Sequence, residues 1–192
     1  MSSHHIVREK QEPALVIINL GDFEEEHLGQ LLEWTPMIFV AKEMVDKVAS
    51  LGIKIDIVLS SKTKNDFTFQ EHVKVLNVEE TSLKTAMSYL ISEGFPSVNI
   101  ITNNFIVADY LAFISQIDLV VFEDNKKIYP VKSGFNKWKA EGEKITILKE
   151  NNTAELKTIG LEITEKDYYK TLNDGFFGLT FEGTYLFIVE EI

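Results

Sequence analysis

A short loop that follows a buried strand is the first place in this sequence where chemistry could occur. The apolar residues Ile55, Ile57, Val58 and Leu59 predict a buried strand, and the run Ser60-Ser61-Lys62-Thr63-Lys64 comes directly after it. In an open α/β sheet, ligands bind beside the carboxyl ends of the strands. Hydroxyls and lysines can contact phosphate, whereas a magnesium site needs carboxylates. The loop therefore indicates either an active-site loop of another kind or the remains of one.

A polar-aromatic cluster near the end of the chain is the second candidate site. It consists of Tyr168, Tyr169, Thr171, Asn173 and Asp174. An aromatic face can stack on a flat cationic ring, and Asn or Asp can anchor the polar edge of that ring. The sequence alone favours a structural interpretation, because Asn-Asp-Gly is a common turn sequence and the tyrosines could cover a domain joint.

Several established catalytic motifs are missing from the sequence. It contains neither a GxGxxG nor a GxxxxGK motif, and it has no cysteine for a thiolate nucleophile or a zinc site. His27 follows three glutamates, but no second histidine lies at ligand spacing. The three glutamates suit the first turns of a predicted helix, whose amino end favours acidic residues. We therefore expect no metal site and no Ser-His-Asp triad.

The composition restricts the partners and the compartment of the protein. With 30 acidic and 19 basic residues, the net charge of −11 disfavours nucleic acid and anionic membranes as partners. The first residues lack an apolar signal segment, and polar residues interrupt the most apolar long segment, 98–122. We expect a cytoplasmic protein that does not span a membrane.

The elements that must position these residues alternate between strand and helix in the first two-thirds of the chain. The predicted strands are Ala14–Leu20, Met37–Ala41, Ile55–Leu59, Val73–Leu76, Val98–Ile101 and Asp118–Phe122. Helices are predicted after Asp22 as a capping residue, from Thr81 to Ser92, and from Phe105 to Ile114. This alternation predicts βαβ units and a mostly parallel sheet flanked by helices.

The last third of the chain predicts a small antiparallel β domain of the sandwich type. Its strand-like runs are Lys144–Leu148, Ala154–Ile159, Gly178–Phe181 and Thr184–Val189. The boundary is predicted near Ser133–Gly134, which gives an α/β domain at 1–133 and a β-rich domain at 134–192. A β unit of this size is marginal alone, so it should pack on the first domain or on a partner chain.

The order of these parts resembles the thiamin pyrophosphokinase family. The resemblance is carried by the segments Gly160-Leu161-Glu162-Ile163, Thr171-Leu172-Asn173-Asp174 and Gly183-Thr184-Tyr185-Leu186. It implies transfer of the pyrophosphate of ATP to thiamin with Mg²⁺. It also implies a homodimer whose sites lie between the α/β domain of one chain and the β domain of the other. The polar-aromatic cluster would then bind thiamin or a similar small cation.

The same resemblance implies that the catalytic site is degenerate. Positions where the family has aspartates correspond to Lys42, Ser61, Thr63, Asn77 and Ser82, and only Asp109 remains as a relic. We therefore expect no intact catalytic residue, no metal ligand and no cofactor. Mg²⁺ and ATP would be required only if the family activity is retained.

Three functional hypotheses remain open at this point. The first is a catalytically weakened or inactive relative that binds thiamin or a related ligand. The second is an active thiamine diphosphokinase with a rearranged metal site. The third is a structural homodimer that has no small-molecule ligand.

Overall fold

The computed structural model describes residues 12–34, 36–61, 73–148 and 155–192. Lys62, Thr63 and Lys64, which belong to the loop singled out above, lie outside these residues. The chain forms two compact units, Met1–Asp124 and Asn125–Ile192. The division between the units thus follows Asp124, whereas the sequence interpretation put the domain boundary near Ser133–Gly134.

The first unit contains a parallel sheet of alternating strands and helices. Its strands are β1 (Ala14–Ile17), β2 (Ile38–Ala41), β3 (Ile57–Ser60), β4 (Lys74–Asn77), β5 (Ser97–Ile101) and β6 (Asp118–Glu123). Their order across the sheet is β6-β5-β1-β2-β3-β4, and every neighbouring pair is parallel. The predicted parallel sheet is confirmed, with strand ends that differ from the predicted ones by a few residues.

The helices of this unit are short. They are α1 (Glu25–Leu32), α2 (Val45–Ser50), which follows a 3₁₀ turn at Lys42–Met44, α3 (Ser82–Ser92) and α4 (Val107–Tyr110). Two predictions about them were wrong. Glu24 rather than Asp22 is the N-cap of α1, and α4 ends at Tyr110 instead of Ile114. The helix predicted from Thr81 to Ser92 is present as α3, with Thr81 as its N-cap, because the Thr81 hydroxyl accepts a hydrogen bond from the backbone N–H of Lys84.

Helices cover both faces of the parallel sheet. On one face, Leu15 and Ile17 of β1 share a buried cluster with Leu28 of α1 and Val48 of α2. The opposite face is covered by α3, which contacts β1 and β3. Side chains alternate along a strand, so a strand buried on both faces must be apolar throughout. The continuous apolar runs in β1 and β2 meet this requirement.

The second unit is built from antiparallel strands. They are β7 (Lys126–Val131), β8 (Phe135–Lys139), β9 (Lys144–Leu148), β10 (Lys157–Ile159), β11 (Leu161–Glu165), β12 (Tyr168–Thr171), β13 (Gly175–Thr180) and β14 (Leu186–Glu191). Five of them are arranged in the order β11-β12-β9-β14-β7, and the other three in the order β10-β13-β8. The described pairs within both groups are antiparallel.

The two groups of strands share one core, which makes the second unit a β sandwich. Ile145, Ile147 and Ile188 come from the five-stranded group, and Phe177 and Leu179 come from the three-stranded group. All five side chains belong to one buried cluster. The predicted small antiparallel sandwich is therefore confirmed. Among the described residues, no helix is long and apolar enough to cross a membrane.

Candidate functional site

The carboxyl edge of the parallel sheet carries the positions that the sequence singled out in the first unit. Because the strands are parallel, their carboxyl ends lie along one edge. Lys42 follows β2 and is half-buried in the 3₁₀ turn. Ser61 follows β3 and is exposed, and Asn77 ends β4 and is also exposed. Thr63 lies outside the described residues.

Ser60 and Thr81 both serve the local fold at this edge. Ser60 is buried, with 2% of its surface exposed, and its carbonyl accepts a hydrogen bond from the N–H of Val78. The hydroxyl of Thr81 accepts from the N–H of Lys84 at 3.1 Å and so satisfies one free donor at the start of α3. Ser82 is the first residue of that helix and is half-buried.

Asp109 lies in α4 with its side chain exposed. It acts electrostatically on the neighbouring Tyr110. Burial is the main cause that raises the pKa of the Tyr110 hydroxyl, and the charges of Asp109 and Glu123 raise it further. Glu123 also accepts a hydrogen bond from the N–H of Phe105 at 2.8 Å. Two carboxylates, Asp109 and Glu123, therefore lie close enough to act on one buried hydroxyl.

The point where the strand order reverses lies between β1 and β5. From β1 the chain adds β2, β3 and β4 on one side of the sheet, and β5 and β6 on the other. Such a switch point is where open α/β sheets bind ligands. Gly21 lies there with a φ of +50°, and a Cβ at this residue would be 3.2 Å from both Asn103 Cβ and Asp124 Oδ1. The backbone of Gly21 therefore approaches these two residues closely, and its N–H donates to Asn19 Oδ1 at 2.8 Å.

The donor set at the ends of β2, β3 and β4 does not fit a magnesium ion. Lys42, Ser61 and Asn77 supply an ammonium group, a hydroxyl and an amide. Mg²⁺ in phosphoryl-transfer sites is held by carboxylates in near-octahedral geometry. Within the described ranges, no three His, Asp or Glu side chains are grouped so that they could hold a metal ion.

The predicted polar-aromatic cluster is divided between the inside and the outside of the second unit. Tyr168 and Tyr169 are neighbours in β12 and point to opposite faces, so that Tyr169 is buried and Tyr168 is 54% exposed. Thr171 is buried, donates its hydroxyl to the carbonyl of Ala140, and accepts from the N–H of Glu143 at 2.9 Å. Tyr169 thus packs in the core of the sandwich. Thr171 holds the turn between β8 and β9 through its two hydrogen bonds.

Asn173 and Asp174 lie in the connection between β12 and β13, and both are exposed. Asp174 Oδ1 accepts a hydrogen bond from the N–H of Glu141 at 2.8 Å, which ties this connection to the turn between β8 and β9. Its second carboxylate oxygen and the Asn173 amide are the polar groups that this connection can offer to a ligand.

An aromatic pair that the sequence interpretation did not single out lies beside this connection. Trp138 of β8 and Phe176 of β13 are direct cross-strand partners. They are 55% and 71% exposed, so both lie on the outer face of the three-stranded group. The signal was strand alternation: in Phe135–Lys139, Trp138 falls on the opposite face from the partly buried Phe135, which packs on the core.

A helix-covered parallel sheet followed by an antiparallel β sandwich defines the structural class of the protein. Solved structures share this arrangement over nearly the whole chain. Thiamin pyrophosphokinase from Geobacillus thermodenitrificans superposes with a TM-score of 0.69 at 10% identity, covering 93% of this chain and 97% of that one. The yeast enzyme gives 0.70 at 9% identity, covering 97% and 88%.

A third structure, thiamine pyrophosphokinase from Bacillus subtilis, gives a TM-score of 0.67 at 11% identity and covers 94% of this chain and 99% of that one. No protein-family model matches the chain, and no curated protein matches its sequence. The chain has the thiamin pyrophosphokinase fold, as the sequence resemblance indicated. At these identities, the likeness establishes the fold alone.

Proposed function

We propose that this protein binds thiamin or a similar flat organic cation and has lost most or all pyrophosphokinase activity. The observation that carries the proposal is the carboxyl edge of the sheet. On a fold shared with thiamin pyrophosphokinases, Lys42, Ser61 and Asn77 follow or end the strands β2, β3 and β4. Ammonium, hydroxyl and amide groups cannot replace the carboxylates that hold magnesium during phosphoryl transfer.

The second unit supplies the groups suited to a flat cation. Trp138 and Phe176 expose aromatic rings on the outer face of the three-stranded group, and Asn173 and Asp174 expose polar atoms beside them. Tyr168 is exposed on the outer face of the five-stranded group, so it does not share a site with that pair in one chain. Stacking a desolvated cation on an aromatic ring stabilises it by about 2 kcal/mol. The net charge of −11 favours the approach of a cation. After the costs of association, we expect a dissociation constant on the order of micromolar to millimolar.

The loss of activity is tested by following thiamin diphosphate formation from ATP, thiamin and Mg²⁺. We expect no appreciable product. A turnover of about 1 per second or more, the ordinary enzymatic range, would overturn the proposed loss of catalysis.

The binding part is tested by calorimetric titration with thiamin in the absence of Mg²⁺ and ATP. Asp174→Asn keeps the oxygen that accepts from the N–H of Glu141 but removes the charge. We expect this variant to weaken binding, and Trp138→Ala and Asn173→Ala to do the same. Glu162→Gln is the control, because it removes an exposed charge on β11. Absence of heat at millimolar thiamin, or equal binding by all variants, would favour the ligand-free protein.

The protein should form a homodimer, as the resemblance implies. Exposed apolar side chains on the three-stranded group support this: Trp138, Ile159 and Phe176 all point outward, and the register puts Ile159 one row away from the aromatic pair. Sedimentation at micromolar concentration should give twice the chain mass of 21.9 kDa. A single species at the mass of one chain, 21.9 kDa, would contradict the homodimer. In the variant Ile159→Lys, the dimer should dissociate into single chains.

Retained catalysis with a rearranged metal site is the second candidate. It is favoured by the position of two carboxylates: Glu123 ends β6 and accepts a hydrogen bond from the N–H of Phe105, and Asp109 lies in α4, which begins shortly after Phe105. If activity is found, Asp109→Asn should abolish it, whereas Asp46→Asn, which changes an exposed acid on α2, should not. We continue to expect a cytoplasmic protein that binds neither nucleic acid nor membranes.

A further inference from the structure

Three lysines converge on one buried carboxylate in the β sandwich. Lys137 Nζ lies 2.6 Å from Glu190 Oε2, and Lys139 Nζ lies 3.8 Å from the same oxygen. The hydroxyl of Tyr129 donates to Glu190 Oε1 at 3.0 Å and accepts from Lys137 Nζ at 3.1 Å. Lys127 completes the group, with its Nζ 5.9 Å from the centre of the Tyr129 ring. We refer to Lys127, Lys137 and Lys139 as the lysine cluster.

Strand register explains why the cluster forms. Lys127 of β7 is the direct cross-strand partner of Glu190 of β14. Tyr129 lies two residues further along β7, so it shares a face with Lys127. That face looks into the sandwich, because the ring of Tyr129 contacts the ring of Phe135 on β8. Lys137 and Lys139 share a face of β8 with Phe135 and therefore reach the same space from the opposite layer.

The charges in this space are unequal. Three ammonium groups surround one carboxylate that is 4% exposed, which leaves an excess of two positive charges. Lys137 and Lys139 are themselves only 33% and 19% exposed. A further acid, Glu143, lies 3.6 Å from Lys139 Nζ, and at 45% exposure its charge is screened by solvent more than that of Glu190. Charges removed from water need counter-charges, so this excess is costly unless an anion neutralises it.

Lys127 shows the effect of the excess most directly. Burial lowers the pKa of its ammonium group, the positive charge of Lys137 lowers it further, and Lys139 adds to the same effect against the opposing influence of Glu190. A bound anion would reverse these influences. The ring of Tyr129, which also lies 5.1 Å from Lys137 Nζ, provides only a weak substitute.

We propose that the lysine cluster is a binding site for a phosphate-type dianion, with Glu190 and Tyr129 holding Lys137 in place. A dianion matches the excess of two charges, and a phosphate monoester carries between about one and a half and two negative charges at about pH 7. Lysine ammonium groups bind phosphate as point charges with several donors each. The cluster lies in a chain whose net charge is −11, so the positive charge is local to this site.

The test is calorimetric titration of the full chain with inorganic phosphate and with diphosphate, at constant ionic strength set with chloride. Lys127→Met and Lys139→Met should each weaken binding about tenfold, the loss of one charged hydrogen bond. Lys126→Met is the matched control, because Lys126 is exposed on the other face of β7. It should stay within about twofold of the wild type.

A measurement on the wild type covers the case in which a variant fails to fold. The side-chain NMR signals of the lysine cluster should shift with diphosphate, whereas those of Lys144, which is 76% exposed on β9, should not. The proposal is overturned if neither anion produces heat or shifts at about 10 mM. It is also overturned if Lys126→Met weakens binding as much as Lys127→Met does. Thiamin carries no phosphate, so failure of this site is distinguishable from failure of the proposed cation binding.

Discussion

Glu190 and Lys137 form an ion pair inside the β sandwich, with 2.6 Å between Oε2 and Nζ and with the glutamate 4% exposed. The two residues are separated by 53 positions in the chain. The pair connects β14 of one layer to β8 of the other, and the Tyr129 hydroxyl completes the hydrogen bonds of both groups. Glu190 is thus the fixed counter-charge for a buried group of cations.

Removal of that counter-charge should destabilise the protein. Glu190→Gln leaves Lys137 and Lys139 without their buried carboxylate, and we expect a loss of about 2 kcal/mol in the free energy of unfolding by urea. Glu191→Gln is the matched control on the same strand. It breaks an exposed contact of 3.7 Å with Lys144 and should change the unfolding free energy by less than about 0.5 kcal/mol. Equal effects of the two changes would contradict the role assigned to Glu190.

Thr171 should contribute to stability through its hydroxyl. Thr171→Val keeps the shape of the side chain but removes the donor to the carbonyl of Ala140 and the acceptor for the N–H of Glu143. Because the hydroxyl is buried, the loss should be about 2 kcal/mol in chemical denaturation. Thr180→Val, at an exposed position of β13, is the control. If both variants unfold at the same denaturant concentration, the hydrogen bonds of Thr171 contribute nothing measurable.

Gly160 should be the least replaceable glycine of the β sandwich. Its φ is +73°, and a Cβ there would lie 2.9 Å from the carbonyl oxygen of Phe176. Gly134 also has a positive φ, +89°, but a Cβ there would meet no atom within 4 Å. Gly134→Ala should therefore lower the free energy of unfolding by only about 1–2 kcal/mol, the penalty for placing a residue with a Cβ in the left-handed conformation. Gly160→Ala must also shift backbone and should lower the melting temperature by a clearly larger amount.

The lowered pKa of Lys127 predicts a pH dependence of stability. Burial first, and then the charge of Lys137, penalise the ammonium form in the folded state. The folded protein thus releases this proton at a lower pH than the unfolded chain, whose lysine keeps the ordinary value of 10.5. Between the lowered pKa of the folded state and 10.5, the unfolded state binds more protons than the folded state. The contribution of Lys127 to the free energy of unfolding therefore increases as pH rises through this range. Lys139 opposes the ammonium form and Glu190 favours it.

The difference between wild type and Lys127→Met measures this effect. The variant should be the more stable protein, relative to wild type, at about pH 7, and its advantage should shrink toward about pH 10. Burial and Glu190 raise the pKa of Tyr129 in the folded protein. Above the ordinary tyrosine pKa of 10.0 this residue would add a second pH dependence, so the comparison stays below that pH. Urea unfolding in phosphate-free buffer gives the values. A constant difference across this range would show that Lys127 is not penalised by its surroundings.

The parallel sheet was predictable because the residues of its strands show that both faces of the sheet are buried. A strand covered on both faces needs an unbroken apolar run, and β1 and β2 consist of such runs. The strands β7, β8, β11 and β12 were not singled out, because none of them is a continuous apolar run and Pro130 lies within β7. Such segments become strands only when a partner strand supplies the hydrogen bonds.

For the candidate sites too, some features follow from the local sequence and others only from the tertiary structure. The sequence by itself determined which groups end the strands β2, β3 and β4, and therefore which chemistry Lys42, Ser61 and Asn77 can support. It also determined the acidic net charge and the turn at Asn173 and Asp174. Each of these depends on residue type and on neighbours within a few positions, where local propensity acts.

Only the tertiary structure decided which side chains meet. The adjacent residues Tyr168 and Tyr169 of β12 differ in burial: Tyr168 is exposed and Tyr169 lies in the core, because the sandwich covers only one face of that strand. The lysine cluster depends on the register of β14 against β7 and on the packing of β8 over both. Local sequence cannot specify such contacts, since burial and electrostatic energy arise only once distant strands are brought within a few ångströms of each other.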